Sequence, residues 1–161
     1  MAEHGSLTLQ FLKYASSAEM PEADRDLLHQ AEQAAMRAYA PYSKFYVGAA
    51  LRLTNGKVVT GNNQENASFP AGICAERTAL HAAMSLDPDA VVKEIAVVVT
   101  TAHGQDPVSP CGICRQALLE QEVRQNAPMR IIMGLPKGPV KEVASARALL
   151  PLSFDVSFLK G

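Results

Sequence analysis

Residues 71–80, "AGICAERTAL", decide how this chain is read. A thiol, Cys74, is followed two positions later by the carboxylate of Glu76 and then by Arg77, among small and apolar residues otherwise suited to a core. Residues two apart on a helix do not face each other. A shared task for Cys74 and Glu76 therefore needs a centre that lies beyond the helix end. The spacing predicts a helix over about 74–86, ending before Asp87-Pro88.

A second cluster, "SPCGIC" at 109–114, has the same design. It places Cys111 and Cys114 at the junction of a loop, "AHGQDPVSP", and a predicted helix, "CGICRQALLEQEV". Between the two helices lies "VVKEIAVVVTT" (91–101), β-branched and apolar enough for a central strand. Before them, "FYVGAALRLT" and "KVVTGNN" flank Asn55-Gly56, a pair favoured in two-residue hairpin turns. "PEADRDLLHQAEQAAMRAYA" (21–40) carries acids in its first turn and Leu27, Leu28, Ala31, Ala35 and Ala38 at helical spacing, with Pro41 as its stop. After the second cysteine cluster come a strand, "MRIIMGL", a weak strand at Val140–Val143 and a short helix, "ASARALL". Strands alternating with helices after a hairpin predict a three-layer α/β/α fold with a mixed sheet. Residues 1–20 read as an N-terminal extension, with a short helix near "LTLQFLKYA", and 21–161 as a single domain.

At 161 residues, 48% hydrophobic and 19% charged, the chain suits one globular domain. The formal net charge is −1 and no Lys/Arg run occurs, which argues against a polynucleotide partner and for a small one. No apolar run approaches the roughly 18 residues of a membrane span. The first 20 residues lack the basic start and long apolar core of a signal peptide. Three cysteines, an odd number, without such a signal point to a reducing, cytoplasmic setting and to thiols used as ligands or nucleophiles.

Cys-x-x-Cys alone would also suit a redox pair. The third cysteine, at the start of another helix, favours a metal. Positive helix ends favour thiolates, and three thiolates suit Zn²⁺, which takes four ligands. None of His4, His29, His81 or His103 stands at ligand spacing to a cysteine, so water or hydroxide is expected in the fourth position. Glu76, in a first helical turn, leans past the helix end and is the expected proton carrier. Taken alone it would be an acid complementing a helix dipole. Arg77 is expected to offset the negative charge of three thiolates; otherwise it is an exposed helix arginine.

"CAE" followed by "PCGIC" resembles the zinc-dependent cytosine/adenine nucleoside deaminase signature in its three-cysteine form. "YAPYSKFYVGAAL", "GNNQENASFPAGICAERTALHAA", "SPCGICRQ" and "ALLPLSF" resemble, more narrowly, the small homotetrameric cytidine deaminases, from about Pro21 to Phe158. The resemblance implies a cytidine deaminase-like fold with a five-stranded sheet. It implies hydrolytic deamination of cytidine and deoxycytidine to uridine and deoxyuridine, with release of ammonia, in pyrimidine salvage. Cys74, Cys111 and Cys114 would hold one zinc ion per subunit, and Glu76 would shuttle protons. Asn63 and Glu65, in "NQEN", would hold the ribose hydroxyls, and Phe45 would pack on sugar and base. The Ala75 backbone and the Pro110 carbonyl would meet the base edge. Phe154 would close the pocket of a neighbouring subunit in a homotetramer. Gln64, the long N-terminal extension and the segment "GLPKGPVKEVASARALL" depart from the family pattern. Two rivals remain. One is a deaminase of another amino-pyrimidine or of polynucleotide cytosine, which the charge and Glu65 oppose. The other is a non-catalytic zinc module, which Glu76 and the open fourth position oppose.

Overall fold

The computed structural model describes residues 2–101 and 106–159. His103 lies outside them. The described chain runs β1 (Leu12–Tyr14), α1 (Glu22–Ala35), β2 (Val47–Leu53), β3 (Val58–Asn62), α2 (Ala75–Leu86), β4 (Val92–Val99), α3 (Gly112–Gln125), β5 (Arg130–Gly134) and β6 (Val140–Val143). A short 3-10 helix at Ala146–Leu149 follows, where the short helix "ASARALL" was expected.

The strands form one mixed sheet in the order β1-β6-β5-β4-β2-β3. Only β4 and β5 pair in parallel, joined by α3 as crossover. Side chains alternate between the faces. Ala49, Leu51, Ile95, Val97, Ile131, Met133 and Val143 belong to one core cluster with Ala79 and Leu80 of α2 and Leu118 of α3. Ala50, Ala96, Val98, Ile132 and Val140 point the other way, into a second cluster with Leu27, Leu28 and Ala31 of α1. The expected three-layer architecture results, with α1 on one face and α2 and α3 on the other.

Six strands replace the expected five. The added strand is β1, inside the N-terminal extension, where a helix near "LTLQFLKYA" was expected. Leu7, Leu9 and Phe11 alternate with a period of two, which suits a sheet edge and not a helix face. The segment pairs antiparallel with β6, Leu12 opposite Glu142. The hairpin also differs: the Leu53 amide donates to the Lys57 carbonyl at 2.9 Å, so three residues form the loop. Gly56 takes the left-handed backbone (φ 86°) that such loops require. Helix α1 ends earlier than Pro41 alone predicts. Tyr39 leaves it to bond Asn63, its amide donating at 3.0 Å to that carbonyl.

β2 runs antiparallel to both β3 and β4, so β3 and β4 point the same way. Each feeds a helix on the same face, and the starts of α2 and α3 therefore meet at one end of the sheet. Close approach of α2 depends on Gly61: a Cβ there would lie 2.4 Å from the Ala79 amide nitrogen and 2.7 Å from the Ala75 carbonyl oxygen. Gly48 does the same for α1, where a Cβ would lie 1.9 Å from the Ala31 carbonyl oxygen. No described helix is long and apolar enough to cross a membrane.

Gly61→Ala has only helix backbone to displace. It should lower the unfolding free energy by about 1–3 kcal/mol or more, the usual cost of overpacking. Urea denaturation followed by circular dichroism checks this; an unchanged midpoint would mean that α2 can retreat freely.

Candidate active site

Cys74 and Cys111 occupy the N-cap positions of α2 and α3, and neither side chain bonds the helix backbone as a cap. Their sulfurs are thus free for another partner. Cys114, in the first turn of α3, is buried. The three Sγ atoms lie within 4.8 Å of one another, with Cys74 and Cys111 3.9 Å apart. Two ligands about 2.3 Å from a tetrahedral ion stand about 3.8 Å apart. The donor set and its spacing therefore fit zinc, and the three cysteines expected to gather do so.

Glu76 is 4% exposed in the first turn of α2. Burial raises its pKa, the Cys74 sulfur adds to the rise, and Cys114 and Arg77 oppose it. The Cys74 thiol is pulled down to about 5, chiefly by the Cys114 thiol, then by Cys111 and Arg77, against the effect of burial. Cys114 is pushed up by Cys74 and by burial. Burial opposes the charge on Arg77, but the Cys74 and Cys114 sulfurs outweigh it, and its pKa is raised. The buried Nε of Arg77 has no hydrogen-bond partner among the described residues. A charge beside sulfurs, without an oxygen acceptor, suits thiolates.

A cleft of about 730 Å³ adjoins these groups, with Asn63, Glu65, Cys74 and Arg77 in its wall. Glu65 is anchored by the turn after Pro41. Its Oε2 accepts from the Tyr42 amide (2.9 Å) and the Ser43 amide (3.3 Å), and its Oε1 accepts from the Ser43 hydroxyl. The Ser43 hydroxyl, more than the two amides, lowers its pKa and keeps it an acceptor. Lys44 takes a left-handed conformation (φ 56°), the strained residue of this turn. The Asn63 side chain accepts from the Val47 amide and donates to the Phe45 carbonyl, both at 2.8 Å, leaving each end one further hydrogen bond.

Phe45 is partly exposed beside Asn63. Ala75 is buried directly after Cys74, and Pro110 is buried directly before Cys111. The Phe154 ring stands apart, stacked on Phe158 with centroids 5.8 Å apart, and its carbonyl accepts from Gln116 Nε2 at 2.9 Å. Tyr42, Ser43, Phe69 and Ile113, unnamed in the sequence reading, also line the cleft. Tyr42 and Ser43 lie within the "PYSKF" stretch; nothing local to the sequence marked Phe69 or Ile113.

A mixed sheet with three thiols gathered between two helix starts, next to a buried carboxylate, defines a metal-centred α/β site. The family model for the cytidine and deoxycytidylate deaminase zinc-binding region matches residues 21–127. A cytidine deaminase of Halalkalibacterium halodurans is 44% identical over 128 residues, covering 80% of this chain and 91% of that protein. One from Sporosarcina psychrophila is 41% identical over 129 residues, covering 80% and 89%. The crystal structure of a cytidine deaminase from Burkholderia pseudomallei aligns with a TM-score of 0.72 at 41% identity, covering 84% of this chain and 100% of that one. The chain belongs to the zinc-dependent cytidine and deoxycytidylate deaminase family.

In metal-free protein at pH 6.5, Cys74 should be mostly thiolate, whereas Cys114 is protonated and buried. Brief iodoacetamide treatment should therefore alkylate Cys74 ahead of Cys114. Peptide mass spectrometry reads the order, and the reverse order would refute this charge distribution.

Proposed function

We infer that the chain is a cytidine deaminase, which converts cytidine or deoxycytidine and water to uridine or deoxyuridine and ammonia. One observation carries this reading: the three-thiol cluster, with buried Glu76 beside it, contributes Cys74 to the wall of a cleft that Asn63 and Glu65 also line. One zinc ion per subunit, held by Cys74, Cys111 and Cys114 with water as fourth ligand, would supply Lewis-acid activation of that water.

The chain's own groups do the rest. Glu76 takes a proton from the attacking water and passes it to N3 of the pyrimidine. Oxygen bonds to C4. Glu76 then takes the remaining proton of the added hydroxyl and delivers it to the amino nitrogen; the C4–N bond breaks, ammonia leaves and C4 keeps a carbonyl oxygen. A buried carboxyl with a raised pKa suits a group that must hold that proton between the two transfers. Arg77 offsets the thiolate charge. The fixed carboxylate of Glu65 and the free hydrogen-bonding capacity of Asn63 receive the sugar hydroxyls. Phe45 packs against the nucleoside, while the Ala75 backbone and the Pro110 carbonyl border the base. A carboxylate in that position repels phosphate, which favours a nucleoside over a nucleotide or a strand.

The active form is a homotetramer with pockets shared between subunits, residues 21–161 forming its domain and 1–20 an extension, in the cytoplasm. Tyr42, Phe69 and Ile113, 52%, 75% and 65% exposed, leave an apolar rim on the cleft that a second subunit would cover. Phe154, outside this chain's own cleft, is the aromatic offered to a neighbour.

Glu76→Gln should retain zinc by elemental analysis and lose about 10²–10⁴-fold or more in turnover. Loss of absorbance by cytidine and release of ammonia are the readouts; a native rate would remove Glu76 from this role. Chelation should abolish activity and added zinc restore it. Cytidine should be turned over in preference to CMP and single-stranded DNA. A fully active monomer in light scattering would contradict the shared pocket.

A further inference from the structure

Arg115 directly follows Cys114, and its guanidinium reaches three acceptors on two separate segments. Its Nε donates to the Pro110 carbonyl at 2.7 Å, and its Nη2 to the Ser109 hydroxyl at 3.0 Å. Its Nη1 donates to the Leu149 carbonyl at 3.0 Å, at the end of the short 3-10 helix that leads to the C-terminal segment. One side chain therefore ties the residue after Cys114 to the two residues before Cys111. The Cys111–Cys114 turn is closed from outside, and the closure is anchored on the C-terminal segment.

Both Pro110 and Leu149 are buried, so these carbonyls need a donor. A helix start alone does not set the separation of the two sulfurs. Cys111, at the N-cap, lies at the joint of loop and helix, and the loop that reaches it carries no regular structure from Asp106 to Pro110. Arg115 supplies the missing constraint with a planar fork whose donors have fixed relative directions. Gln116, next in sequence, holds the same C-terminal segment through Phe154, and among the described residues its side chain makes no hydrogen bond to Ser109, Pro110 or the cysteines.

We propose that Arg115 is a positioning residue that holds Cys111 and Cys114 at metal-binding separation by clamping Ser109 and Pro110, using the C-terminal segment as its anchor. The proposal rests on the zinc reading above. A merely structural arginine would add stability and leave the metal environment of the folded protein unchanged.

The test compares wild type with Arg115→Gln, Arg115→Lys, Gln116→Ala and Ser109→Ala. Zinc affinity is measured by competition with a chelating dye, and the cobalt-substituted proteins are compared by thiolate charge-transfer and d–d absorption. Arg115→Gln should bind zinc about 10-fold or more weakly, the usual scale for residues that orient ligands, with shifted cobalt bands. Arg115→Lys, which keeps the charge but lacks the planar fork with its fixed donor directions, should fall between it and wild type. Gln116→Ala should loosen the C-terminal segment to proteolysis and leave affinity and bands as in wild type. Native affinity and native bands in folded Arg115→Gln overturn the proposal, as does an equal loss in Gln116→Ala. If Arg115→Gln does not fold, Ser109→Ala decides, because it removes one acceptor of the clamp: shifted bands support the proposal and native bands overturn it. Wild-type protein whose thiols bind neither ion is a separate result, which overturns the zinc reading and the clamp with it.

Discussion

Thiols from two helix starts can share one centre only if the strands before those helices run the same way and feed the same face of the sheet. Here β2 meets that condition by pairing antiparallel with both β3 and β4. Cys74 and Cys111 are 37 residues apart in sequence and 3.9 Å apart at their sulfurs. Gly61 is the steric condition on the same arrangement, since α2 passes close to β3 where any side chain would meet helix backbone. Every other feature of the site inherits its position from these two facts. Glu76 is buried beside the sulfurs because it is in the first turn of α2. Glu65 is near because the chain between β3 and α2 crosses the turn after α1.

The far end of the sheet solves a different problem. On the α1 face, Arg52 stands opposite Glu94, and Glu94 opposite Arg130. Glu94 is fully buried between the two guanidiniums, and Asp24 of α1 and Glu142 of β6 complete the group around Arg130. Burial opposes the charge on Arg130, but the carboxylates win and raise its pKa. A buried network of this kind does not by itself raise stability, yet removing one member leaves an unpaired charge at a cost of about 3–5 kcal/mol. It therefore ties the start of α1 to the sheet at the end opposite the thiols. The β1 strand joins it through the Tyr14 hydroxyl, 3.4 Å from Glu142.

Much of this was legible in the sequence because the signals are local. A thiol followed by small residues marks each helix start, β-branched runs mark β4 and β5, and Asn55-Gly56 marks a hairpin. The gathering of the three thiols was legible for the same reason: cysteines are few, and helix starts place them. What was not legible depends on partners distant in sequence. β1 is a strand only because β6 offers an open edge to pair with. The hairpin gains a loop residue because Leu53 pairs with Lys57. Asn63 reads as a polar turn residue, and only the fold shows its side chain bridging Phe45 and Val47. Arg115 reads as one more helix cation until Leu149, 34 residues on, reaches its guanidinium.

The start of α3 combines these two kinds of information. Cys111 and Cys114 are set by their spacing along one turn, while Arg115 and Gln116 are set by a segment that returns more than thirty residues later. The thiol turn and the C-terminal segment are consequently joined through neighbouring residues of one helix turn. Phe154 lies on that segment, five residues beyond Leu149. If Phe154 serves a neighbouring pocket, the metal turn of one subunit and the pocket wall of the next are held by adjacent residues of a single helix.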